Sequence, residues 1–243
     1  MKILMSGGIG NLASQIVKHN TDHEIYSYSK KELNVTNIDS VISLLRLICP
    51  DVFIHAGALT RPMKKHIDDP YNSINSNIVG TANVVKSCLQ YNRQNNKNIL
   101  VVYISTDYVY PGEDGNYDEE SPLLPVNEYA WSKLGGECCV KLYKNHLILR
   151  AAISEYPFPH KKALDDIRKS YMYNYDVAKI ILKLITLDSR GTINIGGPAK
   201  TPYKFASEYF NVEKAYTSEI SDVKLAHDSS MNTSKLKGIL QNE

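Results

Sequence analysis

Short apolar runs alternate along this chain with longer stretches whose apolar residues recur every three or four positions. "KILM" is such a run. It is closed by "SGGIGN" and followed by "LASQIVKH", which has helical spacing, so the chain opens as strand, glycine turn, helix. "HEIYSYS" predicts a second strand. "TNIDSVISLLRLICP" predicts a helix with Thr36 or Asn37 as cap and Pro50 as stop. "DVFIHAG" predicts a third strand, and "DPYNSINSNIVGTANVVKSCLQYN" a long helix with Pro70 in its first turn. "NILVVYIST" reads as a buried strand, "LLPVNEYAWSKLGGECCVKLYK" as a helix despite its two glycines, and "HLILR" as another strand.

Strands that alternate with helices predict a parallel sheet covered on both faces. With the glycine turn at its start, the expected fold is α/β, a doubly wound parallel sheet of Rossmann-like type. Beyond Arg150 the pattern loosens. "DVAKIILKLIT" and "TPYKFASEYF" predict helices, "GTINIGG" a strand and turn, and "DSSMNTSKLKGIL" a weak helix. Residues 1–150 are therefore expected to form a dinucleotide-binding domain. Residues 151–243 are expected to form a small C-terminal substrate lobe that is not an independent domain. Ligands of such sheets lie in a crevice at the carboxyl ends of the strands.

The glycine turn holds Gly7, Gly8 and Gly10, with Ala13 three positions on. Glycines there let the backbone approach a pyrophosphate at a helix N-terminus, and a small residue at the last position permits close helix–strand packing. A NAD site would place Asp or Glu at the end of the second strand. Here Ser29, Lys30 and Lys31 stand in that region, followed by Glu32. Hydroxyl and ammonium groups suit a 2′-phosphate, so NADP(H) is expected over NAD(H).

Tyr129 and Lys133 are four apart, which on a helix places them on one face, one turn apart. With 17 tyrosines and 22 lysines in 243 residues, roughly 1.5 such pairs are expected by chance. The chain has three. Tyr26/Lys30 begins in a strand, where four residues span about 13 Å. Tyr175/Lys179 lies in the later lobe. Only Tyr129/Lys133 sits on a helix that follows the strand ending at Thr106, where open-sheet sites form.

The run "YISTDYVYPGEDGNYDEESPLLPVNEYAWSKLGGE" resembles the extended short-chain dehydrogenase/reductase superfamily, and within it the dTDP-4-dehydrorhamnose reductase family. "HAGALT", "NIVGT" and the tail "DSSMNTSKL" support the resemblance, which is close over the first 150 residues and looser beyond. It implies NADPH-dependent reduction of the 4-keto group of a UDP- or dTDP-linked 4-keto-6-deoxyhexose. Coupled 3-epimerisation is known among related enzymes. It implies that Tyr129 donates a proton to the carbonyl oxygen, Lys133 bonds the nicotinamide ribose, and Thr106 bonds the same carbonyl oxygen. A lysine cation one turn away would lower the phenol's pKa. Ala56, Gly57 and Ala58 would line the cofactor, and Asn77 of the supporting motif would bind it as well. The resemblance also admits a non-catalytic reading, because the family includes a regulatory subunit of methionine adenosyltransferase. A 4,6-dehydratase is a third reading, weakened by Tyr108 after Asp107.

Several residues stay open on sequence alone. Asp107 either touches substrate or caps its turn, and Arg150 is either a structural ion pair or a ligand contact. His160, Lys161, Lys162, Arg168 and Lys169 either meet a diphosphate or form a solvated face. The segment between Arg150 and the helix near Asp176 is shorter than is usual in the family.

Net charge is +2 and no basic run exceeds two residues, so nucleic acid is not an expected partner. Cys49, Cys88, Cys138 and Cys139 lack metal-ligand spacing and read as reduced thiols. No secretory signal or membrane span is visible, and "MKILM" enters a strand at once. A native start and a cytoplasmic location are therefore expected. A homodimer is compatible with the chain.

Overall fold

The computed structural model describes residues 1–241. Its elements run β1 (Lys2–Ser6), α1 (Asn11–His19), β2 (Glu24–Tyr28), α2 (Ile38–Ile48) and β3 (Val52–His55). Two short turns follow, α3 (Lys65–Asp68) and α4 (Pro70–Ser73), then a π-helical turn (Ile74–Val79) that runs into α5 (Gly80–Asn95). Next come β4 (Leu100–Thr106), α6 (Glu128–Lys141), β5 (His146–Ser154), β6 (Lys162–Leu164) and β7 (Tyr171–Tyr173). The chain continues as α7 (Asn174–Thr186), β8 (Gly191–Ile195), α8 (Pro202–Ala206), β9 (Glu213–Ala215), α9 (Thr217–Ile220) and α10 (Ser234–Gln241).

Seven strands form one parallel sheet in the order β2-β1-β3-β4-β5, and β5 then has two partners. Its Leu147–Ala151 stretch pairs β8, and Ala152–Ser154 pairs β7. The sheet thus extends past Arg150: β7 and β8 belong to it, and α7 packs on its face. A separate two-stranded sheet joins β6 to β9. The alternation of β1 shows why the sheet is covered twice. Ile3 and Met5 pack with Ile16 of α1 and with Val177 and Ile181 of α7, while Leu4 packs with Val41 and Leu45 of α2 and Val84 of α5. Asn37 is the cap of α2, accepting from Asp39 and Ser40 amides, and Cys49 ends that helix in a left-handed conformation before Pro50.

β2 and β3 flank β1 on opposite sides, so the strand order reverses there. That reversal opens a crevice at the carboxyl ends of β1 and β3. A cavity of ≈ 1530 Å³ begins there and runs past β4 and α6 to the β6 segment.

Candidate active site

The cofactor end of the crevice is built from backbone. Gly7 has φ +76°, and a Cβ on it would lie 2.7 Å from Gly57 Cα and N, so β1 and β3 come this close only without side chains. Gly10 precedes α1 with no side-chain cap, which leaves the first amides of that helix to face the crevice that Gly10, Asn11, Leu12 and Ala13 line. Ala13 is buried against the sheet. A cradle of this kind fits a pyrophosphate. Ala56, Gly57 and Ala58 line the same space.

The residues after β2 separate. Lys30 lines the crevice. Lys31 is exposed and is not part of its wall. Ser29 gives its amide and hydroxyl to Glu32 at 2.9 and 2.7 Å, and these bonds hold that carboxyl below its usual range. Asn77 is buried in the π-helical turn. Its carboxamide oxygen accepts from Leu59 N (2.8 Å), and its nitrogen donates to Leu59 O (2.9 Å) and Ser132 Oγ (2.8 Å). The side chain thus pins the β3 loop to α6. Nearby, His55 lies between Ser6 Oγ (2.8 Å) and Thr81 Oγ1 (3.1 Å). Burial, then the Lys133 cation, pushes its pKa down to about 3 and keeps it neutral.

Thr106, Tyr129 and Lys133 converge on the crevice. Asn127 starts α6 by accepting from Ala130 N at 3.0 Å, which sets Tyr129 in the first turn and Lys133 in the next. Lys133 is buried with its Nζ 4.1 Å from the centre of the Tyr103 ring. That ring fits beneath α6 because position 136 is glycine, where a Cβ would overlap the Tyr103 hydroxyl. Burial drives the Lys133 pKa down to about 7, against the upward pull of Glu137. The Tyr129 phenol is pushed up to about 12 by burial and then by the Asp107 carboxylate. Lys169 acts downward on it, assisted by a Thr106 hydrogen bond.

The open residues find their places. Asp107 bonds Lys169 Nζ at 2.9 Å and accepts from Ser229 Oγ at 2.6 Å and Thr106 Oγ1 at 3.1 Å. Thr106, not Asp107, accepts the amide of Tyr108 at the turn. Lys169 is therefore neither solvated nor free, and it also lines the crevice. His160, Lys161 and Lys162 line the far end of the same cavity, while Arg168 pairs with Asp228 at 3.3 Å. Arg150 is a structural ion pair, fully buried against Glu137 at 2.8 Å. Of the rival tyrosines, Tyr26 donates to Glu24, and Tyr175 lies 5.3 Å beneath Lys179, away from the crevice. The sequence reading missed Asn77's locking role and the Asp107–Lys169 pair. The polar motif around Asn77 was the one available signal.

The RmlD substrate binding domain family matches residues 1–154. Over 156 residues the chain is 27% identical to a dTDP-4-dehydrorhamnose reductase of Aggregatibacter actinomycetemcomitans, covering 62% of this chain and 51% of the relative. It is also 27% identical over 147 residues to methionine adenosyltransferase 2 subunit beta of Danio rerio, covering 56% and 42%. The chain thus spans about half the length of these curated relatives. Among solved structures it is similar to a dTDP-4-dehydrorhamnose reductase of Bacillus anthracis in complex with NADP. The TM-score is 0.86 at 25% identity, covering 97% of this chain and 92% of that one.

Proposed function

The chain belongs to the RmlD substrate binding domain family, and from that premise we propose that it is an NADPH-dependent reductase of the 4-keto group of a dTDP- or UDP-linked 4-keto-6-deoxyhexose. The observation that carries this reading is the convergence of Thr106, Tyr129 and Lys133 on the crevice that the glycine turn opens. When bound, the dinucleotide supplies a hydride to the carbonyl carbon. The residues of the chain do the rest. The amides at the start of α1 hold the pyrophosphate, and Lys30, with Ser29 and Lys31 nearby, favours a 2′-phosphate. Ala56, Gly57 and Ala58 line the cofactor, and Asn77 fixes the loop that carries them.

Tyr129 gives its hydroxyl proton to the carbonyl oxygen, which becomes the alcohol. Thr106 orients that oxygen, and Lys133 bonds the nicotinamide ribose. His160, Lys161 and Lys162 face the nucleotide diphosphate. The neutral His55 and the Asn77 pin keep the walls of the site in place.

The methionine adenosyltransferase subunit among the relatives favours a second reading, a non-catalytic NADP-binding regulatory subunit. One experiment divides the two. NADPH oxidation is followed by absorbance against a panel of dTDP- and UDP-4-keto-6-deoxysugars, with product configuration at C3 read by NMR. Turnover of one panel member supports the reductase and shows whether epimerisation accompanies it. Tight NADPH binding without turnover of any member sinks the reductase reading and supports the regulatory one.

A further inference from the structure

Lys169 comes from the segment between β6 and β7, yet its ammonium is buried at the heart of the site. Its backbone is fixed by a two-way bridge to Lys200, N to O at 3.0 Å in both directions. The Nζ lies 2.9 Å from Asp107 Oδ2 and 3.3 Å from the centre of the Tyr108 ring. Tyr108 and Tyr129 pack in one cluster with Met63, Ala130 and Leu225. Asp107 in turn holds the Thr106 hydroxyl at 3.1 Å. A paired carboxylate and ammonium thus line the same crevice as the phenol.

Resting on the reductase reading, we propose that Lys169 is a positioning residue for proton transfer: clamped on Asp107, its ammonium balances that carboxylate beside Tyr129 and makes room for the negative charge the phenol oxygen takes on. The chemistry requires some such balance. As the proton leaves Tyr129 for the carbonyl oxygen, the phenol oxygen becomes anionic, and an unpaired carboxylate nearby opposes that change. Tyr129 is shifted upward, first by burial and then by Asp107, and Lys169 acts against that rise. Stability alone does not call for this pair, because replacing a buried ion pair by apolar residues of similar volume is often neutral or stabilising.

The other titratable groups around the phenol are Tyr108 and Tyr103 from the β4 side, His66 from α3, whose ring centre is 5.2 Å away, and Glu128 and Lys133 from α6 itself. His66 has its pKa pushed down by burial and approaches the ring edge-on.

The test reads the phenol directly in the ligand-free protein. 3,5-Difluorotyrosine is placed at position 129, where its more acidic phenol titrates at a pH the fold tolerates, and its fluorine NMR shift is followed against pH. Lys169→Met is expected to move the midpoint upward by at least about one pH unit. Asp107→Asn is expected to move it downward, and the double variant to lie between the two single ones. A folded Lys169→Met protein whose midpoint stays within ~0.3 unit of the parent overturns the proposal. If Lys169→Met does not fold, Asp107→Asn decides, and no downward shift overturns it. No substrate is involved, so a protein that reduces no keto-sugar can still pass. The reductase reading then fails on its own assay while the charge balance stands.

Discussion

Truncating Arg150 to Met is the sharpest perturbation of the frame behind the site. Its Nε donates to both Glu137 oxygens at 3.1 and 3.3 Å, and Nη2 donates to Oε2 at 2.8 Å. Nη1 reaches the Tyr110 hydroxyl at 3.0 Å and the Glu119 carbonyl at 3.1 Å. Both charged side chains are essentially inaccessible, at 0% and 1% exposure. Removing the guanidinium leaves the Glu137 carboxylate buried with the Ser105 hydroxyl, at 2.5 Å, as its hydrogen-bond donor. Breaking a buried pair on one side costs about 3–5 kcal/mol. Against a total stability of about 5–15 kcal/mol, that is a large fraction. With a urea slope near ~2.5 kcal/mol/M, the unfolding midpoint should fall by about 1–2 M. Urea titration by circular dichroism and Trp131 fluorescence measures it. Glu137→Leu/Arg150→Met removes both charges and should recover at least half of the loss. The reasoning is refuted by a single variant within ~0.3 M of the parent, or by a double variant no more stable than the single one.

Tyr129→Phe keeps the ring and should lower turnover about 10²- to 10⁴-fold in steady-state assays, while the NADPH dissociation constant by titration stays unchanged. Lys30→Ala should weaken NADPH about tenfold and NADH little, by loss of one charged contact; Lys31→Ala, outside the crevice wall, should do less. The Lys133 pKa lies at about 7 in the fold and at its ordinary 10.5 once unfolded, so the unfolded chain binds the extra proton between those values. The cost of burying the cation is therefore fully present below about pH 7 and fades as pH rises toward 10.5. Ligand-free Lys133→Met should gain most in melting temperature over the parent near pH ~6 and least near pH ~10. An advantage independent of pH would contradict that assignment.

The strands and helices around the site were legible because each carries its own period and its own stop. Asn37 before α2 and Pro50 after it are local signals, and so is the glycine turn after β1. Tyr129/Lys133 stood out because a strand, a loop and a capped helix surround it. Arg150 could not be resolved in the same way. Its partner Glu137 is on a helix that packs over β5 only in the folded chain. Lys169 stayed open between a diphosphate contact and a solvated face, because nothing in its neighbours announces Asp107. The strands β6 and β9 are three residues each, "KAL" and "EKA", too short for alternation to register. The π-helical turn that places Asn77 is likewise a product of packing rather than of helical period.

β5 hands its edge from β8 to β7 partway along, and the segment between β5 and β7 adds nothing to the large sheet, since β6 pairs β9 instead. The roof of the crevice is therefore an inset outside the large sheet, held by β9 and by the Lys169–Lys200 bridge rather than by that sheet's ladders. Its length can vary through insertion or deletion without shifting the register of any strand in the large sheet. That separates two kinds of inheritance. On the reductase reading, the half proposed to hold the dinucleotide is constrained by the sheet, while the stretch of roof around Lys161 and Lys162 is open to exchange. Grafting a longer roof from a relative should change which sugar is accepted and leave dinucleotide affinity as it was.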